Sequence, residues 1–168
     1  VDRTQLQAIQ APIKARLRDE PDAGRITLHA EGSLDPEEIA CSVATGGALV
    51  EAGLHPATGG DGLQACSGDM LLQALVACAG VTLRSVATSM EMRVQGTVRA
   101  EGDLDFRGTL GVDREVPVGF RAIRLRFDLD TDAPDEQVAT LLRLTERYCV
   151  VYQTLAGGVP VSASLAPG

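Results

Sequence analysis

The sequence is short of aromatic residues. Its 168 residues include no Trp, three Phe and two Tyr. The core must therefore be built from Leu, Val, Ile and Ala, and the stacking platforms of single-strand nucleic-acid binders are not expected. Histidine is scarce too, at His29 and His55 alone. No Cys-x-x-Cys or Cys/His cluster has zinc spacing, so no metal and no other cofactor is expected. No apolar run reaches the roughly 20 residues that span a bilayer. The longest, Met70 to Val81, is shorter and contains Gln73. Positive charge is also in deficit. The formal net charge is −8, with the acids spread along the chain, which argues against nucleic acid or an anionic membrane as partner. Residues 1–20 are polar and charged, without the apolar block of a signal peptide. A reducing, cytoplasmic location is the expectation, and with it no framework of structural disulfides.

What the sequence has is patterning. Hydrophobic residues make up 45% of the chain, enough for one domain with a real core. Leu6, Ile9, Ile13 and Leu17 recur at helical spacing, interrupted by Pro12, and predict an amphipathic N-terminal helix, kinked or restarted at that proline. Ile26, Leu28 and Ala30 alternate as a strand does, Gly32 to Pro36 reads as a turn, and Ile39, Cys41 and Val43 alternate again. Gly46 to Gly62 is a Gly-rich loop with a short element near Leu49 to Leu54. Its Gly59-Gly60-Asp61-Gly62 run lacks the Lys-Ser/Thr of a phosphate loop. Ser67 to Met90 is the strongest helical signal, with Ser67 as cap, Asp69 in the first turn and apolar residues nearly all round, which predicts a buried helix. Strands are expected around Val94 to Ala100 and Ile123 to Leu129, with Leu104 to Leu110 in their connection. A second amphipathic helix should run from Pro134 to Tyr148, and Val159, Val161, Ala163 and Leu165 predict a last strand. This order predicts an α+β fold with a largely antiparallel sheet.

Four cysteines remain to be placed: Cys41, Cys66, Cys78 and Cys149. Cys41 falls on the apolar face of its strand. Cys66 precedes the long helix, where backbone N–H groups lower a thiol's pKa, yet it is too far from Cys78 to pair within one chain. Cys78 lies inside the long helix and Cys149 just past the second. Each reads either as a small apolar core residue or as a reactive thiol.

The segment Ser67-Gly68-Asp69-Met70-Leu71-Leu72-Gln73-Ala74-Leu75-Val76-Ala77-Cys78 resembles the central helix of the OsmC/organic-hydroperoxide-resistance superfamily, typically Pro-x-Glu-Leu-Leu-Leu-Ala-Ala-Leu-x-x-Cys. Cys149-Val150-Val151-Tyr152-Gln153-Thr154-Leu155 is similar to its second motif, often Cys-Pro-Val-x-x-Thr-Leu. The resemblance runs over about residues 24–166. It implies an OsmC-like fold, with antiparallel sheets around a long buried central helix, in an intertwined homodimer with sites at the subunit interface. Residues 1–22 would be an N-terminal helical extension and 23–168 the OsmC-like domain.

Cys78 would be the peroxidatic thiol and Cys149 the resolving one, reducing organic hydroperoxides in oxidative-stress defence, with an external dithiol as reductant. Hydroperoxide-resistance members place a Glu ten residues before the first Cys and an Arg in the early hairpin. Here the ten-before residue is Gly68, Asp69 follows it, and no Arg occurs between Ile26 and Thr82. A group that activates Cys78 is therefore sought among His55, Arg25, Arg84, Arg143, Arg147 or a second chain, with Asp69 to orient it. The competing reading is an OsmC-like binding or redox-sensing protein with an apolar dimer-interface pocket and no peroxidase turnover.

Overall fold

Residues 67–89 form the helix that organises the molecule, because Leu75, Ala79, Leu83 and Ala87 recur every four residues and place one apolar stripe on a single face. The structure, a computed structural model, describes residues 2–20, 32–34, 40–45 and 48–165. In order these form α1 (Arg3–Asp19), β1 (Gly32–Leu34), β2 (Ala40–Thr45), β3 (Ala48–Gly53), a 3-10 turn (Pro56–Thr58), β4 (Ala65–Cys66) and α2 (Ser67–Ser89). There follow β5 (Gln95–Asp103), α3 (Phe106–Thr109), β6 (Ala122–Asp130), α4 (Asp135–Tyr148) and α5 (Val150–Gly157). One sheet has the order β1-β2-β3-β4, antiparallel except for the β3–β4 pair; the other is the antiparallel hairpin β5–β6.

By length and composition α2 could cross a membrane. Here it is a core helix. Its stripe packs on the inner face of the β5–β6 hairpin and on α4. The alanines at 79 and 87, both 0% exposed, leave room for those neighbours. The core falls into two clusters. One joins Leu83, Ala87, Met92, Val94 and Leu141. The other joins Leu75, Ala79 and Cys149, with Cys78, Val98, Leu125 and Tyr152 around them. Alternation along the hairpin sends Val98, Ala100, Ile123, Leu125 and Phe127 inward, and Phe127 touches both clusters. On its outer face Arg124 pairs with Asp103 and Glu101, and Arg126 with Glu101. Gly96 cannot be replaced in this hairpin: φ is +134°, and a Cβ there would lie 2.0 Å from the Asp128 carbonyl oxygen.

The structure corrects four expectations. Cys66, not Ser67, is the N-cap of α2, and its side chain makes no capping hydrogen bond. Gly32–Leu34 is a strand paired with β2 rather than part of a turn. Pro12 lies inside one continuous α1, which opens on a capping box between Asp2 and Gln5. The strand expected over 159–165 does not form. Val159, Val161 and Leu165 are exposed, and a ladder needs a neighbouring edge; among the described residues no strand pairs with this segment. The strand at Ile26 to Ala30 and the side chain of Cys41 lie outside the described residues.

α2 ends in a Schellman motif: Met92 N–H donates to the Ala87 carbonyl (2.9 Å) and Glu91 N–H to the Thr88 carbonyl (3.2 Å). Glu91 takes the left-handed position at φ +56°, which costs a residue with a Cβ about 1–2 kcal/mol. Its carboxylate meets Arg3 of α1 at 2.9 Å, an exposed pair that contributes at most about 1 kcal/mol. Glu91→Gly is therefore expected to raise the urea midpoint, by up to about 1 kcal/mol in stability. A lowered midpoint would mean that the Arg3 pair outweighs the backbone cost.

Candidate thiol site

Cys149 is the corner between α4 and α5. Its N–H donates to the Thr145 carbonyl (2.9 Å) and closes α4. Its own carbonyl accepts from Gln153 N–H (2.9 Å) and opens α5. Its φ and ψ, −74° and 110°, are not helical, so the chain turns there. The Sγ caps the new helix by accepting from Tyr152 N–H at 3.4 Å. Cys149 is 0% exposed. Sequence patterning placed the end of α4 but not α5, which is apolar without a clear periodic face.

That corner brings the two thiols together. Cys78, half-buried on the flank of the α2 stripe, packs in the same cluster as Cys149, Val151 and Tyr152. The first N–H groups of a helix have no acceptor in their own helix. Burial pushes the Cys78 thiol up, but the N–H groups of Val151 and Val150 in α5, with the Cys149 thiol and the Thr82 hydroxyl, favour its charged form, and on balance its pKa falls below the ordinary thiol value. Cys149 goes the other way. Burial is the main cause, and the neighbouring Cys78 sulfur adds to it. The two shifts are opposite, so Cys78 gives up its proton more readily than Cys149 does. No Arg, Lys or His is among the groups that set the charge of Cys78.

This gives a measurable pH dependence. A thiol with a lowered pKa is ionised, and therefore reactive, at lower pH. Alkylation of Cys78 by iodoacetamide, followed by peptide mass spectrometry, should reach half its maximal rate below the roughly 8.5 of a free thiol, and that of Cys149 above it. The reverse order would contradict these opposite shifts.

The other expected site residues stand elsewhere. His55 caps the 3-10 turn. Its Nδ1 accepts from Ala57 N–H (3.0 Å), and its ring stacks on Phe106 with centroids 5.0 Å apart. The first contact closes its own turn, the second ties that turn to Phe106 of α3, and neither involves Cys78. Asp69 is exposed in the first turn of α2. Nine residues separate it from Cys78, which is about 13.5 Å along the axis and half a turn around it. Among the described residues it has no ion pair. Cys66, twelve residues before Cys78, is about 18 Å away along α2. Arg84 donates to the Val94 carbonyl (2.8 Å), Arg147 lies 5.7 Å over the Tyr148 ring, and Arg143 is exposed on α4. Arg25 lies outside the described residues. The groups that sequence reasoning missed are Thr82 and the α5 amides. A threonine four residues after a helical cysteine was a legible sign of the first; nothing local signalled the second.

Two clefts are lined by neighbours of the pair in α2, α4 and α5, and by neither cysteine itself. One, of about 350 Å³, is lined by Leu75, Phe120, Ile123, Leu125, Tyr152 and Leu155, with Arg121 at its edge. The other, of about 640 Å³, runs beneath α1 between α2 and α4, and includes Val81, Thr82, Ser85, Leu144, Tyr148 and Lys14. Leu75 and Val81, three residues to either side of Cys78 in α2, thus line different clefts. Among the described residues no group of His, Cys, Asp or Glu is arranged to hold a metal ion.

The family model described as OsmC-like protein matches residues 60–164. No curated protein matches the chain. An OsmC-like protein from Mycoplasma pneumoniae superposes with a TM-score of 0.65 at 15% identity, covering 79% of this chain and 89% of that one. The organic hydroperoxide resistance protein OhrB of Bacillus subtilis superposes with a TM-score of 0.55 at 16% identity, over 78% and 93% of the two chains. An OsmC-like protein of unknown function from Vibrio cholerae gives 0.58 at 13% identity, over 76% and 94%. These likenesses concern the fold.

Proposed function

The chain belongs to the OsmC-like family, and from that membership we propose that it is a thiol peroxidase which reduces organic hydroperoxides through Cys78 and Cys149. The observation that carries this reading is that Cys78 packs against the buried Cys149 in one cluster, with its thiol lowered and that of Cys149 raised in pKa. Family members act on hydroperoxides, and the likeness to an organic hydroperoxide resistance protein supports the same substrate class. The apolar walls of the two clefts favour an alkyl group over hydrogen peroxide.

In this reading the Cys78 thiolate attacks the terminal peroxide oxygen. An S–O bond forms, the O–O bond breaks, and the alcohol leaves after taking up a proton. Cys78 is then a sulfenic acid. The Cys149 thiol condenses with it, releasing water and forming a disulfide. An external dithiol restores both thiols by exchange and is itself oxidised. The thiols would work in a reducing compartment such as the cytoplasm. Asp69 and His55 have no chemical part in this reading.

The working unit we propose is a homodimer. Ile9, Val81 and Leu165 are 59%, 73% and 96% exposed in the single chain, and among the described residues no strand pairs with the alternating segment 159–165. A second copy would cover the first three and offer the last an edge.

The test is consumption of cumene hydroperoxide with excess dithiothreitol, for wild type and Cys78→Ser. Wild type should turn over and the variant should not. Equal, negligible consumption by both would reject the peroxidase reading in favour of a binding or redox-sensing role. Such a role would show as an apolar ligand raising the melting temperature without turnover.

A further inference from the structure

Lys14 is the one charged residue on the cleft of about 640 Å³ beneath α1. In a chain of 23 acids and 15 bases, no acid lines this cleft. Among the described residues Lys14 has no ion pair and no hydrogen bond. The α2 side of the cleft offers a second unspent donor. Ser89 donates its hydroxyl to the Ser85 carbonyl (3.0 Å), the usual resting place of a helical hydroxyl. The half-buried Ser85 hydroxyl makes no such bond, and among the described residues it has no partner. Gln10, half-buried on α1, brings a side-chain amide in the same state. Beside these polar groups stand Val86, Met90 and Leu144, all half-buried. Val81, which a second copy would cover in the proposed homodimer, is not needed as a wall. The volume is that of a small-molecule site, and an apolar lining with a few convergent polar groups is the usual make-up of one. Gln10 and Lys14 lie outside the residues 60–164 that match the family model, so this wall is built by the N-terminal helix.

We propose that the cleft binds an amphipathic carboxylate, a ligand with an apolar chain and one anionic head. The chain lies against Val86, Met90 and Leu144, where it leaves water. The head pairs with the Lys14 ammonium, and the Ser85 hydroxyl and the Gln10 amide are further donors to it. One ammonium balances one negative charge, and the net charge of −8 opposes a multiply charged ligand such as a polyphosphate. Neither cysteine lines this site, so the inference goes beyond the peroxidase reading and does not rest on it.

The test is calorimetric titration with decanoate and with decan-1-ol, which has the same chain without the charge. Wild type should bind decanoate saturably, one per chain, with a rise in melting temperature. In Lys14→Met, which keeps the stem and removes the ammonium, the affinity for decanoate should fall about fivefold, the worth of a charge pair on an exposed lysine. The affinity of Lys14→Met for decan-1-ol should stay within about twofold of wild type, and Lys14→Arg should restore decanoate binding. Ser85→Phe, whose ring would occupy the cleft, should lose both ligands; if a thermal melt shows it unfolded, Ser85→Leu is read in its place. No saturable binding of decanoate by wild type would overturn the proposal. So would an equal loss of both ligands in Lys14→Met, since that reports packing and not charge. Binding that survives Ser85→Phe would place the ligand in another cleft and overturn it too. Turnover of cumene hydroperoxide bears on the peroxidase reading alone, so each of the two can fail without the other.

Discussion

Cys149→Ser is expected to consume one equivalent of cumene hydroperoxide per chain without added dithiol, and then stop. Serine is among the preferred helix N-caps, so α5 keeps its first turn and the Cys78 sulfur keeps its amide donors. The thiolate can still attack, and the sulfenic acid still forms. What is lost is the thiol packed against it. In wild type that condensation is an intramolecular step between groups already in contact, whereas in the variant an external thiol must find a half-buried sulfur from solution. The steady-state rate with limiting dithiol should fall on the order of 10²-fold or more. Trapping with dimedone should label Cys78 in the variant, and mass spectrometry of oxidised wild type should show a Cys78–Cys149 disulfide. Continued turnover by Cys149→Ser, or a disulfide from Cys78 to Cys66, would remove Cys149 from the resolving role. The second outcome would require a movement of about 18 Å along α2 or a partner chain.

Leu141→Ala should cost about 3 kcal/mol of stability, within the 2–5 typical of enclosed leucines. Leu141 is 0% exposed and packs with Leu83, Ala87, Met92 and Val94. Truncation leaves a void between α4, α2 and the start of the hairpin, elements that the rest of the fold holds in place and that cannot collapse freely. In a chain of this size the melting temperature should fall by roughly 6–12 °C. The pH profile of Cys78 should not move, because the thiols belong to the other cluster and share only Phe127 with this one. Leu75→Ala is the contrasting variant. It loses comparable apolar contact, but beside the thiols, and it should disturb stability and profile together. A Cys78 profile that shifts equally in both variants would show the two clusters acting as one unit.

Much of this architecture was written in local patterns. The apolar residues of 67–90 announce a long helix, although they suggest burial nearly all round and the structure buries one face, that of Leu75, Ala79, Leu83 and Ala87. The alternation from Ile123 to Leu129 announces a half-exposed strand, and Val138, Leu141, Leu142 and Thr145 announce α4. Periodicity is a property of neighbours in the chain, so it survives without the fold. The same logic misled at 159–165, where alternation is real but a strand also needs an edge to pair with. It misled at His55 and Asp69 as well. Nearness in sequence to the start of α2 suggested nearness to Cys78, but the rise of the helix carries Asp69 away from the thiol, and the loop uses His55 for its own turn.

The sequence by itself determined the family and the α+β order of elements, and it singled out Cys78 and Cys149 as the thiols to test. Only the tertiary structure decided what surrounds the Cys78 sulfur. The corner at Cys149 starts a new helix, whose first amides, without acceptors of their own, close on a sulfur held by a different helix. That arrangement depends on the direction in which the chain turns and on what it packs against, which no spacing of residues along one strand or helix encodes.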